Sequence, residues 1–263
     1  MFLLQAMNQK LKLALIQSHL IWEDPEANRK LFDGKIGAIS EDVDIIVLPE
    51  MFSTGFTMNP EHINADEGRK TLTWMRNLAQ QKHTALIGSI IFYEDGKNHN
   101  RLFFVDPDGK VEHYDKKHSF TLAGEDKVFK AGKSKLILEY KEFKLFPLIC
   151  YDLRFPVWAR NIENYDALIY VANWPKARIQ AWDTLLKARA IENMAYCVGV
   201  NRIGSDGMGY EYSGHSAAYD VLGDQLAYSE DEEILYVTLN KEHIASNREK
   251  LRFLEDRDHF TLK

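Results

Sequence analysis

Residues 143–156 read FKLFPLICYDLRFP, and the way this stretch breaks decides the fold. Phe143 to Ile149 has the length and character of a β-strand. At Cys150 the apolar run stops. Tyr151, Asp152, Leu153, Arg154, Phe155 and Pro156 follow, and charged groups with a proline directly behind a strand mark a sharp turn rather than continued core. Two further runs end on a reactive group in the same manner. Val43 to Glu50 (VDIIVLPE) ends on a carboxylate, and Ala167 to Asn173 (ALIYVAN) ends on an amide. Groups just past strand C-termini are where α/β folds place their sites, because a strand end holds a side chain rigidly while leaving it open to a crevice.

Working outward, strands alternate with helices. Lys10 to Gln17, Val43 to Leu48 and Ala85 to Phe92 read as strands. Between them, Asp24-Pro25 is an N-cap followed by proline at the first helical position, and Gly68 to Lys82 is an amphipathic helix. The centre is richer in β-structure. Asp95-Gly96 and Asp106 to Gly109 are turn signals between apolar runs, and Lys135 to Tyr140 pairs with Phe143 to Ile149. Ile179 to Met194 reads as a helix, Tyr196 to Asn201 as a strand, Ser216 to Tyr228 as a hairpin around Gly223-Asp224, and Ile234 to Leu239 as the last strand. No linker, low-complexity segment or short-period repeat interrupts this pattern. The expectation is one α/β domain over residues 1–263, with a mixed-sheet layered sandwich favoured over a parallel barrel and with terminal arms at 1–9 and 253–263.

Composition bounds the function. The 263 residues are 45% hydrophobic and 27% charged, an ordinary globular mix, and the net charge of −6 favours neither nucleic acid nor an anionic membrane as partner. Cys150 and Cys197 are too few for a disulfide framework, and neither has metal-site spacing to another ligand. The opening MFLLQAMNQK lacks the basic and long apolar regions of a secretion signal, so the expected location is cytoplasmic.

Two readings compete for Cys150: a small core hydrophobe, or a thiol at a reachable turn whose neighbouring N–H groups face an oxyanion. Cys197, inside AYCVGV, reads as core. Glu50 follows an apolar run and Pro49, where a carboxylate at a buried mouth can serve as a base near neutral pH. Lys116 lies in HYDKKHSF, a run that by itself suits a solvated surface, and its neighbours His113 and His118 suggest a Cys–His hydrolase or, weakly, a metal site.

Together the segments resemble the nitrilase superfamily of carbon–nitrogen hydrolases. Leu48 to Phe52 is similar to its glutamate motif, Tyr114 to His118 to its Tyr-x-Lys-x-His motif, and Ile149 to Pro156 to its nucleophile motif, in the family's order. The resemblance implies an α-β-β-α sandwich, a metal-free and cofactor-free Glu-Lys-Cys set, and hydrolysis through a thioester. On that basis Glu50 would be the base, Cys150 the nucleophile and Lys116 the oxyanion donor. Glu125 would be a second glutamate that orients substrate and lysine. Cys150-Tyr151-Asp152 differs from the Cys-Trp-Glu of true nitrilases and favours an amide. The segments Tyr170 to Pro175 and Arg189 to Asn193 resemble the bacterial omega-amidase branch, which acts on 2-oxoglutaramate and 2-oxosuccinamate.

That substrate would need an anchor for its distal carboxylate. Arg178 is the first candidate and Lys176 the alternate, while Arg154 is expected to hold the nucleophile turn together. Phe56, Tyr151 and Trp174 would wall the pocket. The resemblance also implies a homodimer, with Phe155 to Ile162 and Ile179 to Met194 at its interface and Trp158 and Trp182 supplying apolar area. Three rivals remain: an N-carbamoyl amidohydrolase with the same three residues, a non-catalytic scaffold, and a Cys–His hydrolase built on His113, His118 or His215.

Overall fold

A computed structural model describes residues 9–262 of the chain. Most of the expected N-terminal arm, residues 1–8, lies outside the described residues, as does residue 263.

Strand β1 (Lys10–Ile16), β2 (Ile45–Val47) and β3 (Ala85–Glu94) run parallel, joined by helices α1 (Pro25–Gly37) and α2 (Glu67–Lys82). β4 (Lys97–Val105) and β5 (Val111–Asp115) extend the sheet antiparallel, turning at Asp95-Gly96 and at Asp106 to Gly109 as the sequence predicts. A one-turn helix α3 (Glu125–Val128) leads towards the second sheet. There β6 (Leu138–Tyr140) pairs antiparallel with β7 (Phe143–Ile149), and β7, β8 (Ala167–Val171) and β9 (Tyr196–Val200) run parallel. Helices α4 (Pro156–Ala159) and α5 (Ile179–Asn193) lie in the crossovers. β10 (Ile203–Ser205) and β11 (Glu211–Ser213) form a separate two-stranded ribbon. β12 (Ser216–Tyr219) and β13 (Gln225–Ser229) complete the second sheet, and β14 (Ile234–Asn240) returns to pair with β1 before helix α6 (Lys241–Leu251).

The two six-stranded sheets share one pattern. Orders β14-β1-β2-β3-β4-β5 and β6-β7-β8-β9-β12-β13 each carry three parallel strands flanked by antiparallel ones. Strand periodicity then sets the layers, because successive side chains leave opposite faces. Leu11, Leu13 and Leu15 of β1, with Ile45 and Val47 of β2, join the core shared with the second sheet. Ala14, Ile16 and Ile46 face the other way, onto Phe32 and Ile36 of α1 and Met75 and Leu78 of α2. On the far side, Trp182, Leu186 and Ala190 of α5 are buried, and a Cβ at Gly199 of β9 would lie 2.6 Å from atoms of both Leu186 and Trp182. The layers are therefore helix, sheet, sheet, helix, the expected sandwich. Each large aliphatic side chain so buried stabilises the fold by about 1.5–3 kcal/mol.

The helix start at Asp24 also stands as read: its carboxylate accepts the Ala27 N–H at 3.0 Å, and Pro25 begins the helix. Two strands are shorter than expected, with Val43 to Leu48 reduced to β2 and Lys135 to Tyr140 to β6. The proposed roles of two tryptophans need correction. Trp182 is fully buried, with Nε1 donating to the His215 carbonyl at 2.7 Å, and Trp158 is 7% exposed with Nε1 donating to Tyr114. Both fill the protein's own core and cannot supply interface area. No helix among the described residues is long and apolar enough to cross a membrane.

Candidate active site

Four sequence segments converge where the strand ends of the two sheets meet. Glu50 stands three residues beyond β2, Lys116 directly after β5, Cys150 directly after β7, and Glu125 opens α3. The backbone around two of them is unusual. Cys150 adopts φ +43° and Met51, next to Glu50, adopts φ +41°. Non-glycine residues rarely occupy this region, and it costs on the order of 1 kcal/mol or more. Surrounding hydrogen bonds hold both. Met51 N–H donates to the Ser89 hydroxyl at 2.9 Å, and Phe52 N–H to the Ser89 carbonyl at 3.1 Å.

The turn at Cys150 is clamped mainly by Asp152. Its carboxylate accepts the Tyr114 hydroxyl at 2.8 Å, Ile149 N–H at 3.1 Å and His118 N–H at 3.0 Å, and it pairs with His118 Nδ1 at 2.7 Å. Arg189 of α5 donates to the Leu153 carbonyl at 2.6 Å from the other side. Arg154, expected to do this work, does not. It makes no hydrogen bond in the turn; its guanidinium lies 4.9 Å from the Trp174 ring centroid and lines the cavity. Asp152 wins the role because a carboxylate can satisfy the free N–H groups at the start of a tight turn, which a guanidinium cannot.

Lys116 Nζ sits between the glutamates, 2.8 Å from Glu50 Oε1 and 2.9 Å from Glu125 Oε2. All three side chains are almost wholly buried. Burial works against the ammonium, but the Glu125 and Glu50 carboxylates outweigh it, so the Lys116 pKa is raised and the side chain stays charged. Burial, only partly offset by Lys116, pushes Glu125 up, with the Glu50 charge adding to the shift. Cys150 is pushed well up by burial and then by the nearby Glu50 charge, with Lys116 pulling only partly the other way. The resting sulfur therefore keeps its proton.

A cavity of about 390 Å³ opens onto Cys150 and Lys116. Phe56, Tyr151, Trp174 and Arg178 line it. Phe56 lies under the Lys116 ammonium at 5.0 Å, and Arg178 lies over Phe120 at 5.1 Å. Lys176, the alternate anchor, is absent from the lining and pairs with Glu211 at 3.1 Å. None of His113, His118 and His215 lines the cavity: His118 is bound to Asp152 and stacked on Phe155, and His215 pairs with Asp183 at 3.0 Å. Among the described residues no group of three or more His, Cys, Asp or Glu is arranged to hold a metal ion.

Sequence reasoning missed two parts of the site. One is Asn100 on β4, whose Nδ2 donates to Glu50 at 2.8 Å and to Glu125 at 3.2 Å. It shares the inward register of Leu102 and Phe104, but β4 opens with the polar run Lys97 to Arg101, so nothing in the sequence sets it apart. The other is the β10–β11 ribbon, whose tip brings Met208 and Tyr210 to the cavity mouth. Its glycine-rich turn, Asp206-Gly207-Met208-Gly209, is legible as a turn but is flanked by strands of only three residues.

Comparison with known proteins agrees with this geometry. Residues 12–249 match the family model described as carbon-nitrogen hydrolase. The chain is 42% identical to omega-amidase YafV of Yersinia enterocolitica over 96% of this chain and 98% of the relative. It is 30% identical to 2-oxoglutaramate amidase of Bacillus subtilis, over 94% and 97% of the two chains. The crystal structure of XC1258 from Xanthomonas campestris, a CN-hydrolase superfamily protein with an arsenic adduct in its active site, superposes with a TM-score of 0.93 at 35% identity, covering 97% of this chain and 100% of that one. A family model spanning most of the sequence, together with relatives matched nearly end to end, shows that the chain belongs to the carbon–nitrogen hydrolase family.

Proposed function

We propose that the protein hydrolyses the omega-amide of a short 2-oxo acid such as 2-oxoglutaramate or 2-oxosuccinamate, releasing ammonia and the 2-oxo diacid. The observation that carries this reading is the convergence of Glu50 and buried Lys116, 2.8 Å apart, with Cys150 at a cavity lined also by Arg154 and Arg178. Relatives named omega-amidase support the same substrate class.

In this mechanism Glu50 takes the Cys150 proton as sulfur attacks the amide carbon. The tetrahedral oxyanion is held by Lys116 and by N–H groups of the turn that begins at Cys150, which lack acceptors within that turn. Glu50 returns the proton to nitrogen, the C–N bond breaks and ammonia leaves. Water then gives a proton to Glu50 and attacks the thioester; the acid departs and Cys150 regains its proton. Glu125 orients Lys116 throughout. At the far end, Arg154 and Arg178 have no carboxylate partner among the described residues and stack on Trp174 and Phe120, so both guanidinium groups are available to a substrate carboxylate and 2-oxo group.

The enzyme acts as a homodimer. Because Trp158 and Trp182 are internal, the apolar area comes instead from Val157, Ile162 and Ile191, each exposed by more than a third on the segments around α4 and α5. Two free, buried cysteines suit a reducing compartment such as the cytoplasm.

An ammonia-release screen over small amides, nitriles and carbamoyl amino acids tests the reading. Preferred turnover of 2-oxo-acid omega-amides is expected; a preference for nitriles, or release of carbon dioxide from carbamoyl compounds, would replace it.

A further inference from the structure

Asn100 is hydrogen-bonded to three members of the reactive cluster, Glu50, Lys116 and Glu125. It sits in β4, is 1% exposed, and points inward with Leu102 and Phe104. Its backbone carbonyl accepts the Lys116 N–H at 3.0 Å, which fixes where the lysine leaves β5. Its side-chain Nδ2 donates to Glu50 Oε1 at 2.8 Å and to Glu125 Oε1 at 3.2 Å. Both amide hydrogens are thus committed to the two carboxylates. The cost is visible: Asn100 Oδ1 is buried and has no partner. An orphaned buried oxygen works against folding, so the orientation is held by its two acceptors and not by packing economy.

We propose that Asn100 is a positioning residue for the reaction, a neutral donor that holds Glu50 and Glu125 around Lys116 while leaving Glu50 able to accept the thiol proton. Neutrality is the point. Two carboxylates this close repel each other, and among the described residues Lys116 is the one cation within hydrogen-bond reach of both. A second cation at position 100 would relieve the repulsion but weaken Glu50 as a base. An apolar residue would leave both oxygens short of a donor, and a carboxylate would add to the repulsion. The other groups facing Glu50 are Asn173 N–H at 2.9 Å, the Cys150 thiol, and Tyr212 from β11 at longer range. None of them also reaches Glu125 by a hydrogen bond.

This inference rests on Glu50 acting as the base, and its test separates the two. Asn100→Asp keeps the shape and removes the donor; Asn100→Leu keeps the approximate volume and removes polarity. Each is assayed as kcat and kcat/KM against pH on 2-oxoglutaramate, per Cys150 site titrated with a thiol reagent, with Glu50→Gln alongside. Removing a hydrogen bond to the ionised form makes that form less stable, so the acid limb of kcat/KM moves to higher pH, by about one unit. At the wild-type optimum kcat falls at least about tenfold, while KM stays within about twofold, because Asn100 does not line the substrate cavity. A residue needed only for packing lowers the number of titratable sites but leaves the limb in place. If Asn100→Leu does not fold, the isosteric Asn100→Asp decides alone. An acid limb at the wild-type position in the folded variants overturns the proposal, even with Glu50→Gln inactive. Turnover retained by Glu50→Gln would instead overturn the base assignment.

Discussion

Arg154 and Arg178 show how far a single residue's role depends on what surrounds it. Both follow reactive strand ends, and from sequence only Arg178 reads as a substrate anchor. In the structure both guanidinium groups lie on aromatic rings in the cavity wall, and both lack a carboxylate partner among the described residues. Stacking leaves the edge donors of an arginine free, which suits bidentate recognition of a carboxylate. Arg178→Ala should therefore raise KM for 2-oxoglutaramate much more than for an uncharged short amide, by about 2–4 kcal/mol in kcat/KM if one partner of a desolvated charge pair is lost. Arg154→Ala should discriminate in the same direction. Steady-state kinetics on the two amides decides: equal losses on charged and uncharged substrates would remove either residue as an anchor. Cys150 and Glu50 stood out in the sequence as reactive groups at strand ends, whereas Lys116 stood out only through the resemblance of Tyr114 to His118 to a family motif. Asn100 did not, since its partners lie 50 and 25 residues away and nothing local marks it.

At the scale of elements, the site depends on how closely helix and strand approach. α5 carries Arg189, which grips the nucleophile turn, and it can do so only because β9 offers Gly199 beneath it. A methyl at Gly199 would meet Leu186 and Trp182 at 2.6 Å, and both are core side chains with no free space to enter. Gly199→Ala should therefore destabilise the protein by about 1–3 kcal/mol, the usual cost of overpacking, and should loosen the Arg189 contact with Leu153. Urea unfolding with a fitted midpoint measures it; an unchanged midpoint would mean that α5 is free to shift. The longer strands and helices were legible, from apolar periodicity, Asp24-Pro25 and the Asp-Gly turns. Element ends were harder. Ile45–Val47 is a strand of only three residues because, after Leu48 N–H reaches the Ile87 carbonyl at 2.7 Å, Pro49 has no N–H to continue the ladder. The β10–β11 ribbon escaped notice because three-residue strands carry too little alternation to register.

In the molecule as a whole, two sheets with one shared strand pattern place their C-terminal ends together, and the reactive groups come from both: Glu50 and Lys116 from the first, Cys150 from the second. That likeness was invisible as a sequence repeat, because it is conserved in connectivity and not in residue spacing. The outer helices remain available for association. Light scattering at micromolar concentration should give the mass of two chains, and Ile191→Lys should shift it toward one; a monomeric mass for the unaltered protein would exclude the dimer. The central claim is chemical: one thiol, protonated at rest, carries the acyl group between amide and water. It is tested most directly by mixing the enzyme with 2-oxoglutaramate, quenching in acid within a turnover, and locating the adduct by peptide mass spectrometry. A gain equal to the substrate mass less ammonia is expected on the peptide containing Cys150, with none on Cys197 and no ammonia release by Cys150→Ala. Turnover by a folded Cys150→Ala variant would contradict it.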